Sequence, residues 1–314
     1  MLTSNCILTE FKKAERLMGN CFELTVVAED KSWAIEKIEL AINEIRRIER
    51  LLTTFADDSQ TNLINQHAGI KPVKVDREVF NLISRSTRIS ELTDGAFDIS
   101  YGSVDKRLWN FDRSMTSLPD EETAKAMVRL INYKNVLLDE PGCTVMLKEE
   151  GMRIGFGGIG KGYAAERAKA LLQKEGVTSG IVNASGDLSC WGCQANGKPW
   201  TIGIANPDNA HLPFAWMNIT GMAVATSGNY EKYISINGKK YSHTINPKTG
   251  LPVTGIKSVT IISPNAELSD AMATPVTIMG IQAGLNLVNQ VEALECIIID
   301  DRNKIYTSKN INLQ

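Results

Sequence analysis

The sequence predicts a mixed α+β protein with much antiparallel sheet. Helical and strand-like segments alternate along the 314 residues, and the stretch 180–262 consists mostly of short strands separated by turn signals. Such an ordering favours α+β architecture over a fully parallel sheet. With 43% hydrophobic and 22% charged residues, the composition is that of an ordinary globular protein.

The first half of the chain is predicted to be mainly helical. Isoleucines recur at spacings of three and four along 32–52, which is typical of an amphipathic helix. The helix that follows Pro119 has acidic residues in its first turn, where they suit the helix dipole. In order, the predicted elements are a strand at 22–27, helices at 32–52, 78–92 and after Pro119, a hairpin of 135–138 with 144–147 around a Pro-Gly turn, and a helix at 161–174.

The second half is predicted to be mainly strands, followed by two helices and a last strand. Asn237-Gly238 stands between the strand-like runs 233–236 and 239–242, and Asn-Gly favours a tight hairpin. The remaining predicted elements are helices at 269–279 and 281–291 and a strand at 296–299.

Charge and hydropathy exclude two classes of partner. The net charge is −2, from 34 basic and 36 acidic residues, and no basic block suggests a nucleic acid. No apolar run approaches the ~20 residues of a membrane-spanning helix. The first twenty residues carry charges and no apolar segment. We therefore expect a cytoplasmic protein as written, or an exported lipoprotein or periplasmic protein if a leader has been removed.

The pair Cys190-Trp-Gly-Cys193 leaves two interpretations open. It could be a redox pair or half of a zinc site, but zinc needs two further ligands at suitable spacing. The alternative, which we favour, is a pair of small side chains on a buried strand.

A glycine cluster at 153–163 (RIGFGGIGKGY) predicts a ligand site. It nearly spells the dinucleotide fingerprint, but the acidic residue expected about 20 positions later is absent, and Asp187 comes too late. It also nearly spells a P-loop, but Gly162 replaces the magnesium-binding Ser or Thr. Glycines that let amides approach phosphate, a helix start and the Lys161 cation still indicate an anion cradle. A tight strand-to-helix turn with a solvated lysine is the alternative.

Polar residues of the second half are candidates for catalysis and metal binding. His243 lies in a turn-dense polar stretch and could act as a general base, or could be structural. Asp270 and Thr274 stand four residues apart, so a helix places them on one face. Both are hard oxygen donors of the kind Mg²⁺ accepts. The alternative is an N-cap Asp and a Thr bonded to its own backbone.

Taken together and in this order, these segments resemble the ApbE family of FAD:protein FMN transferases. The matching segments cover most of the chain: Met18-Gly19-Asn20, Phe55-x-x-x-Ser59-x-x-x-x-Ile64-Asn65, Asp94-Gly-Ala-Phe-Asp98, Gly157-Gly-Ile-Gly-Lys-Gly-Tyr163, Gly186-Asp187, Trp200-x-Ile-Gly-Ile-x-Asn-Pro207, Ala225-Thr-Ser-Gly-x-Tyr230, Tyr241-Ser-His-x-x-x-Pro-x-Thr-Gly250 and Ser269-Asp-Ala-Met-Ala-Thr274. The last two are the most specific.

The resemblance implies one ApbE-like domain over residues 1–314, built of two interlocked α/β lobes with largely antiparallel sheets flanked by helices. Its site is assembled from both halves of the chain. The implied roles are FAD contacts by Met18, Ala96, Phe97 and Asp98, stacking of Phe55 on FAD, Lys161 near the pyrophosphate, Mg²⁺ ligation by Asp270, Thr274 and the backbone carbonyl of Gly158, and catalysis by His243 or Asp270.

The implied activity is Mg²⁺-dependent transfer of FMN from FAD to a Ser or Thr hydroxyl of an acceptor protein, with release of AMP. Hydrolysis of FAD to FMN and AMP at the same site is an alternative, and a flavin-binding or assembly protein without turnover is another. The chain departs from the family at Gly155, where an Asp that contacts FAD is usual, and at Phe55, where Tyr is usual.

Overall fold

The secondary structure follows the predicted order, with helices dominating the first half and strands the second. The computed structural model describes residues 7–108, 117–207, 209–228, 233–236, 239–242 and 244–311. The strands are β1 (Thr9–Leu17), β2 (Asn20–Ala28), β3 (Val73–Lys74), β4 (Val136–Asp139), β5 (Thr144–Leu147), β6 (Gly180–Ala184), β7 (Asp187–Trp191), β8 (Trp200–Asn206), β9 (Asn209–Ile219), β10 (Ala223–Gly228), β11 (Tyr233–Ile236), β12 (Lys239–Ser242), β13 (Ile256–Ser263), β14 (Glu295–Asp300) and β15 (Ile305–Thr307). The helices are α1 (Lys31–Leu52), α2 (Gln60–Gln66), α3 (Arg77–Leu92), α4 (Glu121–Met127), α5 (Gly160–Lys174), α6 (Ala266–Met279) and α7 (Ile281–Val288), with 3-10 turns at Ile99–Ser103 and Tyr133–Asn135.

One eight-stranded sheet takes strands from both halves of the chain. Its order is β1-β2-β6-β7-β10-β13-β14-β15, and each neighbouring pair is antiparallel. Three smaller sheets are β3-β5-β4, β8-β9 and β11-β12. The predicted α+β class is confirmed. The dinucleotide-fingerprint interpretation of the glycine cluster is excluded, because that motif belongs to a parallel βαβ unit.

The sheet is covered by helices on one face and by the β8–β9 ribbon on the other. The predicted isoleucine stripe of α1 is buried except for Ile35, which is half-buried, because side chains three and four residues apart share one helix face. The Asp30 side chain caps this helix by accepting from the Trp33 amide at 2.6 Å. In β2 successive side chains alternate, so Leu24 and Val26 pack under the helices while Val27 joins the core beneath the ribbon.

Two elements near the N-terminus were not predicted. Strand β1 is an edge strand whose sequence, TEFKKAERL, is half charged, so it lacks the apolar alternation of a typical strand. Helix α2 has seven residues, too few to show a period. Within the described ranges, no helix combines the length and apolar character needed to cross a membrane.

Candidate functional site

A cleft of about 1370 Å³ lies where the two halves of the chain meet. Typical small-ligand pockets measure about 300–1,000 Å³, so this cleft suits an extended ligand. Eight of the ten predicted site residues line it: Met18, Phe55, Ala96, Phe97, Asp98, Gly158, Lys161 and Thr274. They come from the β1–β2 turn, the loop after α1, the segment before the first 3-10 turn, the start of α5, and α6.

Asp270 lies beside the cleft, against the first turn of α5. Its Oδ2 accepts from the Gly162 amide at 2.9 Å, and its Oδ1 stands 4.0 Å from Lys161 Nζ. Burial raises the pKa of the Asp270 carboxyl, while the Lys161 ammonium and the amides of Gly162 and Lys161 oppose that rise. Asn265 caps α6, so the interpretation of Asp270 as an N-cap is wrong.

The Lys161 ammonium lies between two carboxylates, those of Asp187 and Asp270. Its ammonium contacts Asp187 Oδ2 as well as facing Asp270. The other Asp187 oxygen accepts from the Thr226 amide at 3.1 Å, which fixes the carboxylate on β10. Asp187 occurs in a matched motif, but nothing in its spacing to Lys161 predicted this ion pair.

The donors around Asp270 fit a magnesium ion. A buried carboxylate and a hydroxyl one helical turn later are hard oxygen ligands, and Mg²⁺ prefers such ligands together with waters and phosphate oxygens. The Lys161 ammonium 4.0 Å from Oδ1 indicates that this position accommodates positive charge. No group of three or more His, Cys, Asp or Glu side chains suited to a metal occurs in the described part of the chain, so the carboxylate–hydroxyl pair is the candidate.

Asp98 shapes the cleft wall through its own hydrogen bonds. One oxygen accepts from the Ser100 amide at 2.8 Å and from the Ser100 hydroxyl at 2.6 Å, and the other accepts from the Tyr133 amide at 2.9 Å. Burial raises the pKa of this carboxyl, and these three donors oppose the rise. The Asp98 carboxylate therefore holds the wall together, and its neighbours Ala96 and Phe97 face the cleft.

Met18 lies in the tight turn between β1 and β2. Met18 and Gly19 both have positive φ, at 52° and 73°, as a two-residue hairpin requires. The Met18 amide donates to Glu49 of α1 at 2.8 Å, and the Met18 carbonyl accepts from the Asn20 side chain at 2.8 Å. These bonds hold a non-glycine residue in a left-handed conformation at the edge of the cleft.

Phe55 is 97% exposed at the cleft rim. Its loop is fixed from below, because the Asn62 amide group donates to the carbonyls of Thr54 at 3.0 Å and Ala56 at 2.8 Å. The Ser59 hydroxyl adds a bond to the Thr53 carbonyl at 2.6 Å. A large apolar ring on an anchored loop is the geometry of a stacking platform.

Gly155 lines the cleft and leaves space there. A Cβ added at this position would meet no heavy atom of the described chain within 4 Å, apart from its immediate neighbours. Its amide donates to the Ile99 carbonyl at 3.1 Å, so the backbone is fixed. The replacement of the usual family Asp by Gly155 therefore removes a side chain without disturbing the wall.

The segment after β12 is tied to the first half of the chain. The Tyr101 hydroxyl accepts from the Ile245 amide at 3.2 Å, and Lys248 forms an ion pair with Asp94. Thr244 and Ile245 line the cleft next to these contacts. The predicted base, His243, lies outside the described residues.

Among the described residues, the cysteine pair belongs to no metal-binding cluster. Cys190 is fully buried on β7, and burial raises the pKa of its thiol. The Cys193 amide donates to the Ser179 hydroxyl at 3.1 Å in the following loop. Both are free thiols, and the described residues supply no cluster with them that could hold a metal.

Comparisons of the sequence with known proteins find one family. A family model described as the ApbE family matches residues 18–298. Among curated proteins, an FAD:protein FMN transferase of Klebsiella pneumoniae (strain 342) is 33% identical, covering 93% of this chain and 90% of its own length. A protein of the same name from Salmonella typhimurium is 30% identical, covering 88% and 80%.

Solved structures of the same family have the same fold. The ApbE protein of Thermotoga maritima superposes with a TM-score of 0.86 at 29% identity, covering 96% of this chain and 97% of that one. The apo flavinyl transferase ApbE of Pseudomonas stutzeri gives a TM-score of 0.83 at 24% identity, with coverage of 96% and 95%.

Proposed function

The chain belongs to the ApbE family, and from that premise we propose that it is an FAD:protein FMN transferase. It moves FMN from FAD to a Ser or Thr hydroxyl of an acceptor protein and releases AMP. The observation that carries this proposal is that a glycine-rich helix start, Lys161 and Thr274 line one large cleft, while Asp270 lies directly beside it, 4.0 Å from the Lys161 ammonium. Such an arrangement is suited to a diphosphate.

Asp270, Thr274 and the backbone carbonyl of Gly158 would hold a Mg²⁺ ion. When bound, the metal supplies charge neutralisation at the diphosphate. Lys161 supplies a further positive charge beside Asp270, held in direction by Asp187. Phe55 stacks on the flavin nucleotide, and Met18, Ala96 and Phe97 line its binding cleft.

The reaction is an in-line displacement at phosphorus. A general base, His243 or Asp270, accepts the proton of the acceptor hydroxyl. The hydroxyl oxygen forms a bond to the FMN phosphorus while the bond from that phosphorus to the bridging oxygen breaks. AMP leaves with the bridging oxygen. Positioning and neutralisation of charge provide most of the rate enhancement in this chemistry.

The proposal is tested by incubating the purified protein with FAD, with and without Mg²⁺, and with a peptide that carries a flavinylation-type Ser or Thr. We expect the acceptor to gain the mass of FMN minus water only when metal is present. An acceptor whose Ser or Thr is replaced by Ala serves as the control. An Asp270→Asn variant is expected to lose at least about a hundredfold in rate, because a ligand charge at the metal is removed. Mass spectrometry reads both.

Two other outcomes would redirect the assignment. AMP and free FMN without acceptor modification, across several acceptors, would indicate FAD hydrolysis. Bound FAD with no AMP under any condition would indicate a flavin-binding protein, and the open space at Gly155 makes Gly155→Asp the first reversion to make. A His243→Ala variant that keeps the full transfer rate would leave Asp270 as the base.

A further inference from the structure

Helices α5 and α6 each provide a carboxylate that accepts a hydrogen bond from an amide in the first turn of the other helix. Asp270 of α6 accepts from the Gly162 amide in the first turn of α5 at 2.9 Å. Glu166 of α5 accepts, through Oε2, from the amide of Ala266, the first residue of α6, also at 2.9 Å. The first amides of a helix have no partner within the helix and carry its positive dipole end. Each helix therefore stabilises the start of the other.

The crossing is too close for a side chain at its centre. A Cβ on Gly162 would lie 2.1 Å from the Ala266 carbonyl oxygen and 2.7 Å from Asp270 Cβ. The backbones of the two helices are thus in contact next to these two hydrogen bonds. Any change in the relative rotation of α5 and α6 would break both hydrogen bonds.

Glu166 is itself held in a fixed orientation. Its Oε1 lies 3.2 Å from Lys169 Nζ, and the Lys169 side chain is only 10% exposed. Its Oε2 also accepts from the Ser189 hydroxyl of β7 at 3.3 Å. A carboxylate with a buried cation and a strand hydroxyl as partners has little freedom to move. Through it the start of α6 is tied to α5 and to the large sheet.

The hydrogen bond from the Ala266 amide to Glu166 affects the position of the proposed metal ligands. Ala266, Asp270 and Thr274 follow one another at intervals of four residues, so they lie along one face of α6. Fixing the Ala266 amide fixes the rotation and the axial position of that face. The direction of the Asp270 and Thr274 oxygens then depends on Glu166, which lines no part of the cleft.

We propose that Glu166 is a positioning residue for the metal site of α6. It holds the first turn of α6 against α5 so that Asp270 and Thr274 are aligned before a metal or FAD arrives. This inference rests on the proposed metal site. Partners that orient metal ligands without touching the metal are commonly worth 10–100-fold in metal affinity.

The test measures binding of Mn²⁺ alone, without FAD, by calorimetry. Mn²⁺ prefers oxygen ligands as Mg²⁺ does. We expect Glu166→Ala to weaken Mn²⁺ binding by about tenfold or more. Glu166→Gln should weaken it less, because the amide oxygen still accepts from Ala266. Circular dichroism confirms that each variant is folded, and the Gln variant keeps the test informative if the Ala variant does not fold.

Glu267→Gln is the matched control. Glu267 also stands in the first turn of α6, but its carboxylate pairs with Arg85 of α3. The Glu267→Gln substitution should leave the affinity for Mn²⁺ unchanged, while it lowers the free energy of unfolding about as much as the Glu166 substitutions do. Equal losses of affinity in the Glu166 and Glu267 variants would mean general loosening of the helix and would overturn the inference.

Asp270→Asn separates the two proposals. If wild-type protein binds Mn²⁺ and Asp270→Asn does not, while Glu166→Ala binds as the wild type does, the metal site stands and the role of Glu166 is wrong. If Asp270→Asn binds Mn²⁺ with wild-type affinity, the proposed metal site is wrong and the positioning role falls with it.

Discussion

Gly162 is the residue of the glycine cluster that admits no side chain. Its neighbour in the cluster, Gly157, has no described heavy atom within 4 Å of an added Cβ beyond its adjacent residues. The sequence shows five glycines in a short stretch, but their roles differ. Some leave the cleft open, and this one lets two helices touch. The pattern predicts an anion cradle, and only the packing of α6 distinguishes the two roles.

Gly162→Ala is expected to destabilise the protein by roughly 1–3 kcal/mol, because the added methyl group overlaps the Ala266 carbonyl. Gly157→Ala is expected to change stability by less than about 0.5 kcal/mol. Urea unfolding at neutral pH measures both. Equal effects of the two substitutions would show that α5 and α6 tolerate separation.

A substitution of Phe55 is expected to affect FAD binding but not the stability of the fold. Because the ring is 97% exposed, Phe55→Ala should leave the free energy of unfolding within about 0.5 kcal/mol of the wild type. Loss of a stacking contact of about 0.5–1.5 kcal/mol should weaken FAD binding by a factor between roughly 2 and 13. Flavin fluorescence titration measures it. Ile70→Ala, exposed and outside the cleft, is the control that should bind FAD normally.

At the scale of elements, the positions of the long helices were predictable, whereas the contacts between helices were not. The isoleucine period located α1 to within one residue at each end, since burial of one face imposes that period. Strand β1 was not predicted, because it lies at an exposed sheet edge and its sequence is therefore rich in charged residues. The contact of Asp270 with α5 was not predicted either. A four-residue spacing places side chains on one helix face but does not indicate which element packs against that face.

Three helices are joined by one charged cluster. Arg47 of α1 donates to Glu44 at 2.8 Å and to Glu78 of α3 at 2.7 and 2.9 Å, and the Tyr163 hydroxyl of α5 donates to Glu78 at 2.5 Å. The Arg47 hydrogen bonds hold the pKa of the Glu78 carboxyl below its usual value of 4.5, although burial opposes the shift. The carboxylate form is thus the one that stabilises the fold.

The stabilisation by Glu78 should disappear in acid. A lowered folded-state pKa contributes stability above the unfolded pKa, and the contribution is lost as pH falls through the folded pKa. Glu78→Gln is therefore expected to cost roughly 1 kcal/mol at pH 7 and progressively less below about pH 4.5. Urea unfolding across that range measures the difference. Glu121→Gln, which removes an exposed pair with Lys125, should show little dependence on pH.

At the scale of the molecule, the sequence predicted which segments meet but not how the sheet is ordered. The matched motifs run from Met18 to Thr274, and the cleft takes residues from both ends of that span. The strand order places β2 next to β6 and β7 next to β10, pairings that join segments distant in sequence. Strand periodicity carries no information about such partners.

The continuous sheet predicts that the chain unfolds as one unit. Because strands of both halves form one continuous sheet, and its largest hydrophobic cluster contains residues of α1, α5 and α6, we expect a single calorimetric transition whose van't Hoff enthalpy equals the measured enthalpy. With Mg²⁺ present throughout, FAD at a hundred times its dissociation constant should add about 2.7 kcal/mol to the whole transition. Two separate transitions, only one of them shifted by ligand, would contradict the prediction of a single domain.

The strand order also has a consequence for the protein during its synthesis. When residues up to the end of β7 have been made, its neighbour in the sheet, β10, is still to come. The two oxygen donors of α6 are translated later still, within the last fifty residues. A polypeptide that ends before α6 therefore lacks both oxygen donors of the proposed metal site.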